Sequence, residues 1–260
     1  MQQFVMSLIF AHDRWGSTAS GANADAGGVG QNYEADALAL LRSLRHTEED
    51  NGSLALGVTN VFDSTTKLVF DMPNVASSGL ARPSIEMPGY YDLWAQATGD
   101  SFWTSAASSA RTYWKTVAHP TTGLFPIRTK LNGSTQPGGD RFLSEAYRAQ
   151  INLVIDHIWT GGDDWQVTES NRMLQFFASK GMNTYGGGYS LDGTTTFEPS
   201  HDLALVAANG ISALIATSAN QMAFVNDSWN LVLPTGNIRY YPGIVHMLGV
   251  LALSGQLRVY

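Results

Sequence analysis

The 260-residue sequence predicts an all-α protein whose building unit is the helical hairpin. Apolar residues recur at helical spacing in nine segments, and glycines fall at the ends of many of those segments. No alternating run is long enough to build a central sheet, so helices must pack on helices.

The first two segments are amphipathic: Phe4, Leu8, Ala11 and Trp15 mark one stripe, and Tyr33, Ala37, Leu40, Leu41 and Leu44 the next. Between them residues 16–30, rich in Ser, Ala, Gly and Asn and without period, read as a loop rather than a domain linker. Residues 52–88 are irregular, with β-prone pieces such as 67–70 among Pro73, Pro83 and Pro88, and read as a long connection packed over one end of a helical body. After Pro88 the helical period returns over 90–98, 100–118, 140–159, 165–180, 201–217, 219–229 and 242–253, punctuated by Gly99, Gly123, Gly161, Gly181 and Gly255. With 44% hydrophobic residues, the chain is expected to bury a sizeable core as one domain over residues 1–260.

The formal charge is −7 and the basic residues are scattered, which argues against a nucleic-acid partner. The absence of cysteine excludes disulfides and thiolate metal sites but leaves the compartment open. The apolar run at residues 4–10 lacks a basic flank and is too short to span a bilayer, so a soluble protein with no signal peptide and no membrane partner is expected. An aromatic content of 11% with 26 glycines suits a groove lined by flat side chains, as sugar clefts are, although core burial is the commoner fate of any one aromatic.

Several segments in register resemble glycoside hydrolase family 8, most closely its reducing-end xylose-releasing exo-oligoxylanases. They are Arg14-Trp15-Gly16, Tyr91-Asp92-Leu93-Trp94-Ala95, His119-Pro120-Thr121-Thr122-Gly123-Leu124, Phe142-Leu143-Ser144-Glu145-Ala146-Tyr147-Arg148, Arg239-Tyr240-Tyr241 and Leu251-Ala252-Leu253-Ser254-Gly255. The resemblance implies an (α/α)6 toroid of six hairpins with a substrate groove across one face. Against twelve helices in that toroid the sequence offers about nine, so an incomplete toroid is expected, N-terminally truncated relative to the family. The family's Glu-Gly-x-Ser-Tyr-Gly stretch, which bears its general acid, has no match here.

An inverting glycosidase needs a protonated carboxyl for the leaving oxygen and a carboxylate about 6.5–9.5 Å away to activate water. In the family the base is the Asp of a Ser-Asp-Ala-Tyr-Arg motif, and the matching residue is Glu145. The extra methylene moves the carboxylate by up to about 1.5 Å, and a misplacement of about 1 Å can cost on the order of a hundredfold in rate. The pair is therefore expected to be impaired. Near the start of a helix over 140–159, Glu145 would be favoured in its ionised form, with Arg148 adding to the effect; a surface Glu paired with Arg148 fits the same spacing.

Glu86, Asp92 and Asp202 are the candidate substitute acids, Asp92 reading better as an N-terminal helix charge. His201 resembles the histidine of a Leu-His-Pro loop that closes the reducing-end side of the family's groove, but Ser200 and Asp202 replace its neighbours, and a polar loop before a helix is the plainer reading. Tyr91, Trp94, Tyr147, Arg148, Tyr240 and Tyr241 lie in matched segments, and the resemblance implies that they contact substrate. The ligand that the resemblance implies is a β-1,4-linked oligosaccharide, a xylo-oligosaccharide, and no cofactor or metal is implied by any motif.

Two alternatives accompany that reading. One is a non-catalytic remnant that still binds oligosaccharide. The other is an adventitious hydrolase of small esters or lactams, to which Ser64-Thr65-Thr66-Lys67 contributes a Ser-x-x-Lys pattern without the motifs that normally support it. Apolar flanks on residues 1–15 and on the C-terminal helix are also expected to drive self-association.

Overall fold

The structure, a computed structural model, describes residues 1–17, 32–50, 57–74 and 79–259. Residues 18–30 of the expected loop lie outside the described residues. Among the described residues there are nine α-helices: α1 (Gln2–Trp15), α2 (Tyr33–Asp50), α3 (Pro88–Thr98), α4 (Ser101–Val117), α5 (Tyr147–Thr160), α6 (Asp164–Ser179), α7 (Leu203–Ser212), α8 (Gln221–Trp229) and α9 (Tyr241–Leu253). Five short strands accompany them: β1 (Leu80–Ala81), β2 (Thr129–Lys130), β3 (Arg141–Phe142), β4 (Gly188–Ser190) and β5 (Thr196–Glu198). β1 pairs with β2, and β3, β4 and β5 form a three-stranded antiparallel sheet.

All nine expected helices are present, and their ends follow local chemistry. Pro88 opens α3, where its missing N–H costs no hydrogen bond, and Gly99 closes it in the left-handed conformation at φ 67°. Asp100 then caps α4 by accepting from Phe102 N at 2.8 Å. Asp163 opens α6 in a capping box: its carboxylate accepts from Trp165 N at 3.0 Å while Gln166 Oε1 accepts from Asp163 N at 3.0 Å. Asp163→Ala is expected to lower stability by about 1 kcal/mol, read as a fall in the thermal midpoint.

One helix differs from expectation. The segment expected to be helical from residue 140 starts as a strand, because Arg141 and Phe142 pair with Ser190 and Tyr189; α5 begins only at Tyr147, after a turn over residues 144–146. The pairing comes from a segment over forty residues away, which no local period reveals.

The helices pack in hairpin order. α1 lies on α2, α3 on α4 and α7 on α8, while α3, α5, α7 and α9 pack side by side as an inner row. The core between them is aromatic: Trp94 and Trp103 meet edge to face at 4.9 Å, and Phe62, from the long connection, packs on Tyr91 at 5.3 Å. Under the inner row Asp156 is wholly buried, held by Arg111 at 2.6 and 2.9 Å and by Gln166 Nε2 at 2.6 Å. A buried carboxylate is tolerated only when it is paired and hydrogen-bonded in this way.

The outer face of the last hairpin is apolar and open. Ile244, Met247, Val250 and Leu251 of α9 are exposed, as are Trp229 at the end of α8, Val232 and Leu233 after it, Met1 just before α1 and Phe4 on α1. No helix among the described residues is long and apolar enough to cross a membrane.

Candidate functional site

The segments that enter α3, α5, α7 and α9 are tied to one another, which gathers these helix N-termini at one end of the inner row. Asn152 Nδ2 of α5 donates to the carbonyls of Ser84 and Glu86, just before α3, at 3.1 and 3.0 Å. Tyr147 donates its hydroxyl to the Gly187 carbonyl, and Tyr241 donates its own to the Ser144 carbonyl at 2.7 Å. Gly187 leaves little room here, since a Cβ would stand 3.0 Å from both Asp202 Cβ and the Tyr147 hydroxyl, tight enough that these neighbours would have to give way.

Glu145 sits in the turn that Tyr241 anchors, two residues before α5, with its side chain 48% exposed. α5 has no side-chain cap, so the positive end of its dipole lies beside the carboxylate, an arrangement that favours a negative charge there. Its partner differs from expectation: Glu145 pairs with Arg82, not Arg148. Arg82 also binds the wholly buried carboxylate of Asp71, whose second oxygen is held by Arg128 at 2.9 Å. Sequence reading missed Asp71, Arg82 and Arg128 because they come from the irregular connection and a loop, in no motif; their one signal is charge within otherwise apolar β-prone stretches.

Of the residues expected to touch a sugar, three have no free face. Tyr91 and Trp94 are fully buried in the aromatic core, and Tyr147 is fully buried with its ring 5.2 Å from Phe142. Their place in matched segments therefore reflects packing, the commoner fate of large aromatics. Burial pushes the Tyr147 hydroxyl far up, and the charges of Asp202 and Glu198 add to that. Glu198, on the exposed strand β5, is a carboxylate at this end that sequence reading did not single out.

Four others remain available. Tyr240 is 76% exposed and lines, with Gly236, Asn237, Arg239 and Ile244, an open hollow of about 680 Å³ at the start of α9. Tyr241 is half-buried; burial raises its hydroxyl, opposed by the charge of Arg148. Among the described residues Arg148 makes no ion pair, and its Nε is buried without a hydrogen-bond partner. His201 lies in a polar loop before α7, its Nδ1 2.9 Å from the Tyr185 carbonyl and its Nε2 3.7 Å from Asp227 Oδ2.

None of the three substitute acids presents a free carboxyl. Glu86 is completely buried, accepting from Val69 N at 2.9 Å and bonded to the Tyr91 hydroxyl at 3.1 Å; burial pushes it up to about 8, against the lowering effect of those bonds. Asp92 is paired with Arg111 beside Asp156. Asp202 caps α7, accepting from Ala204 N at 2.8 Å and Leu205 N at 3.1 Å. Ser64-Thr65-Thr66-Lys67 is a hairpin turn: Asp63 accepts from the Thr66 backbone at 2.6 Å, and the Lys67 amine is turned onto the Ser64 carbonyl with its charge 5.0 Å over the Phe102 ring. That amine is spent on the turn's own backbone rather than aimed at the serine hydroxyl. A separate cavity of about 270 Å³ between α1, α2 and α3, lined by Met6, Ile9, Leu41 and Leu93 among others, shares no residue with the Glu145 end.

No family model matches the chain. It is 33% identical over 266 residues to the reducing-end xylose-releasing exo-oligoxylanase Rex8A of Paenibacillus barcinonensis, covering 99% of this chain and 65% of that protein. It is also 33% identical to the reducing end xylose-releasing exo-oligoxylanase of Halalkalibacterium halodurans, covering 100% of this chain and 64% of the relative. The chain thus spans just under two thirds of the length of these curated relatives. Among solved structures, Rex8A complexed with xylose superposes with a TM-score of 0.85 at 32% identity, covering 100% of this chain and 66% of Rex8A. A GH8 xylobiose complex from Teredinibacter turnerae superposes with a TM-score of 0.87 at 27% identity, covering 99% and 66%. The helical hairpins are those of the (α/α)6 barrel, and the similarity runs the length of the chain: it belongs to glycoside hydrolase family 8.

Proposed function

We propose that the chain binds β-1,4-linked xylo-oligosaccharides across the end of the inner row where α5 and α9 begin, and that Glu145 serves there as the base that activates water. The observation that carries this reading is the placement of Glu145: a half-exposed carboxylate at an uncapped helix N-terminus, in a turn anchored by Tyr241. Its relatives are named for acting on xylan-derived oligosaccharides, which supports the substrate class. Tyr240, Tyr241, Arg148 and His201 are the residues we assign to substrate. The carboxylate pair is impaired, because the base stands on a longer arm than the family's Asp and Glu86, Asp92 and Asp202 are each engaged elsewhere. Incubation with xylotriose to xylohexaose, followed by reducing-sugar release and product chromatography, is expected to show slow cleavage; no release after prolonged incubation at high protein concentration refutes the catalytic part.

The engagement of Glu86, Asp92 and Asp202 elsewhere favours a second reading, in which the protein binds oligosaccharide without turnover. Isothermal calorimetry separates the two, since binding without cleavage supports only the second, and absence of both removes each.

We also propose self-association through the open apolar face of α9. Ile244, Met247, Val250 and Leu251 recur at helical spacing and are exposed together, a contiguous patch of a kind that marks interaction surfaces. Light scattering at micromolar concentration is expected to give a mass above 28.1 kDa, returning to the monomer value in Met247→Glu; a monomer in the unmodified protein refutes the proposal.

A further inference from the structure

We propose that Arg82 is a positioning residue for Glu145, a clamp that restores to the longer side chain the single orientation a base requires. This rests on the assignment of Glu145 as base. A glutamate has one more rotatable bond than an aspartate, and an exposed glutamate spreads its carboxylate over many rotamers. Here the arm is tied at its tip. Arg82 Nη1 binds Glu145 Oε2 while Arg82 Nε binds Asp71 Oδ1, so one guanidinium spans both carboxylates.

The far side of the clamp is rigid. The Asp71 side chain has no exposure at all, and its Oδ2 is held by Arg128 Nη1 at 2.9 Å. Its backbone is fixed as well, Asp71 N donating to the Leu80 carbonyl at 2.8 Å, next to the β1–β2 pair. Pro83 follows Arg82 directly and opens a 3-10 turn, which restricts the Arg82 backbone to the extended conformation observed, φ −125° and ψ 127°. The guanidinium is planar and its Nε is fixed on Asp71, so the direction in which its Nη1 meets the Glu145 carboxylate is set as well. The clamp is made through Oε2, and the Glu145 side chain stays 48% exposed. Charge acts in the same direction: the cation favours the ionised form of Glu145, which a base must be before it accepts a proton.

The test is a kinetic cycle on xylo-oligosaccharide hydrolysis with Arg82→Met, Glu145→Gln and the double variant, thermal unfolding serving as the folding control. Arg82→Met is expected to lower kcat by about 10- to 100-fold, the range of a catalytic group misplaced by about 1 Å, with KM changed less than about twofold. The acid limb of its pH–rate profile is expected to move to higher pH, because a carboxylate that loses a neighbouring cation holds its proton more tightly. In the Glu145→Gln background, Arg82→Met is expected to add nothing, since residues acting through one group are non-additive. Arg82→Lys, which keeps the charge but not the planar guanidinium, recovers the pH profile and only part of kcat, and it carries the test alone if Arg82→Met does not fold.

An unmodified protein that hydrolyses the oligosaccharides while Arg82→Met and Arg82→Lys match it in kcat and pH profile overturns the clamp and leaves the base assignment standing. An equal loss from Arg82→Met in both backgrounds also overturns it. An unmodified protein without turnover overturns the base assignment, and the clamp with it.

Discussion

Glu145→Gln is expected to lower the rate of xylo-oligosaccharide cleavage by about 10²–10⁴-fold, the usual contribution of a general base, while leaving binding within a few-fold. The amide is close to isosteric with the carboxylate, so packing around the turn is preserved, but it cannot take a proton from water. The split between turnover and affinity follows from the proposed roles, Glu145 as base at the helix start and Tyr240, Tyr241, Arg148 and His201 as the residues assigned to substrate. Initial rates and calorimetric affinity, measured on the same preparation, decide it; unchanged cleavage removes Glu145 from the mechanism.

Stability is expected to fall as pH rises between about 4.5 and about 8, and Glu86 is the reason. In the unfolded chain this carboxyl loses its proton near 4.5, whereas burial in the fold holds the proton to about 8. Between those values the folded state binds a proton that the unfolded state has released, so folding is favoured fully below the lower value and progressively less as pH approaches the upper one. The span corresponds to an order-of-magnitude loss of about 5 kcal/mol. Glu169, also buried and raised to about 7, adds loss of the same sign. Glu86→Gln mimics the protonated side chain, its carbonyl facing Val69 N and its amide facing the Tyr91 hydroxyl. Urea unfolding at pH 5 and pH 8.5 is expected to show little change in the first and a gain of several kcal/mol in the second, up to about the loss above. Equal stability of the variant and the parent at both pH values would show that Glu86 is not held protonated.

The same buried position explains where sequence reading stopped. Glu86 was a reasonable candidate acid by chemistry alone, since a carboxyl held protonated near neutrality is what a general acid needs. Only its complete burial, on Val69 N and the Tyr91 hydroxyl, shows that no sugar can reach it. Asp202 is a parallel case. Its position just before a helical period fits either a cap or an acid, and two backbone N–H donors decide for the cap.

Periodicity, proline and glycine sufficed for the helices, because a helix is stabilised by contacts three and four residues apart and leaves that spacing in the sequence. The family could be read for a similar reason: motifs such as Ser144-Glu145-Ala146-Tyr147-Arg148 are contiguous, and the position proposed as the base travels with them. What surrounds Glu145 was decided only by the tertiary structure. The start of α5 waited on a strand pairing with residues 189–190, and the three buried aromatics were told apart from the exposed Tyr240 only by their neighbours. The partner of Glu145 came from residue 82 rather than from the next helical turn. Such contacts join residues far apart in the chain, and a charge on an irregular connection carries no local mark of the carboxylate it will meet.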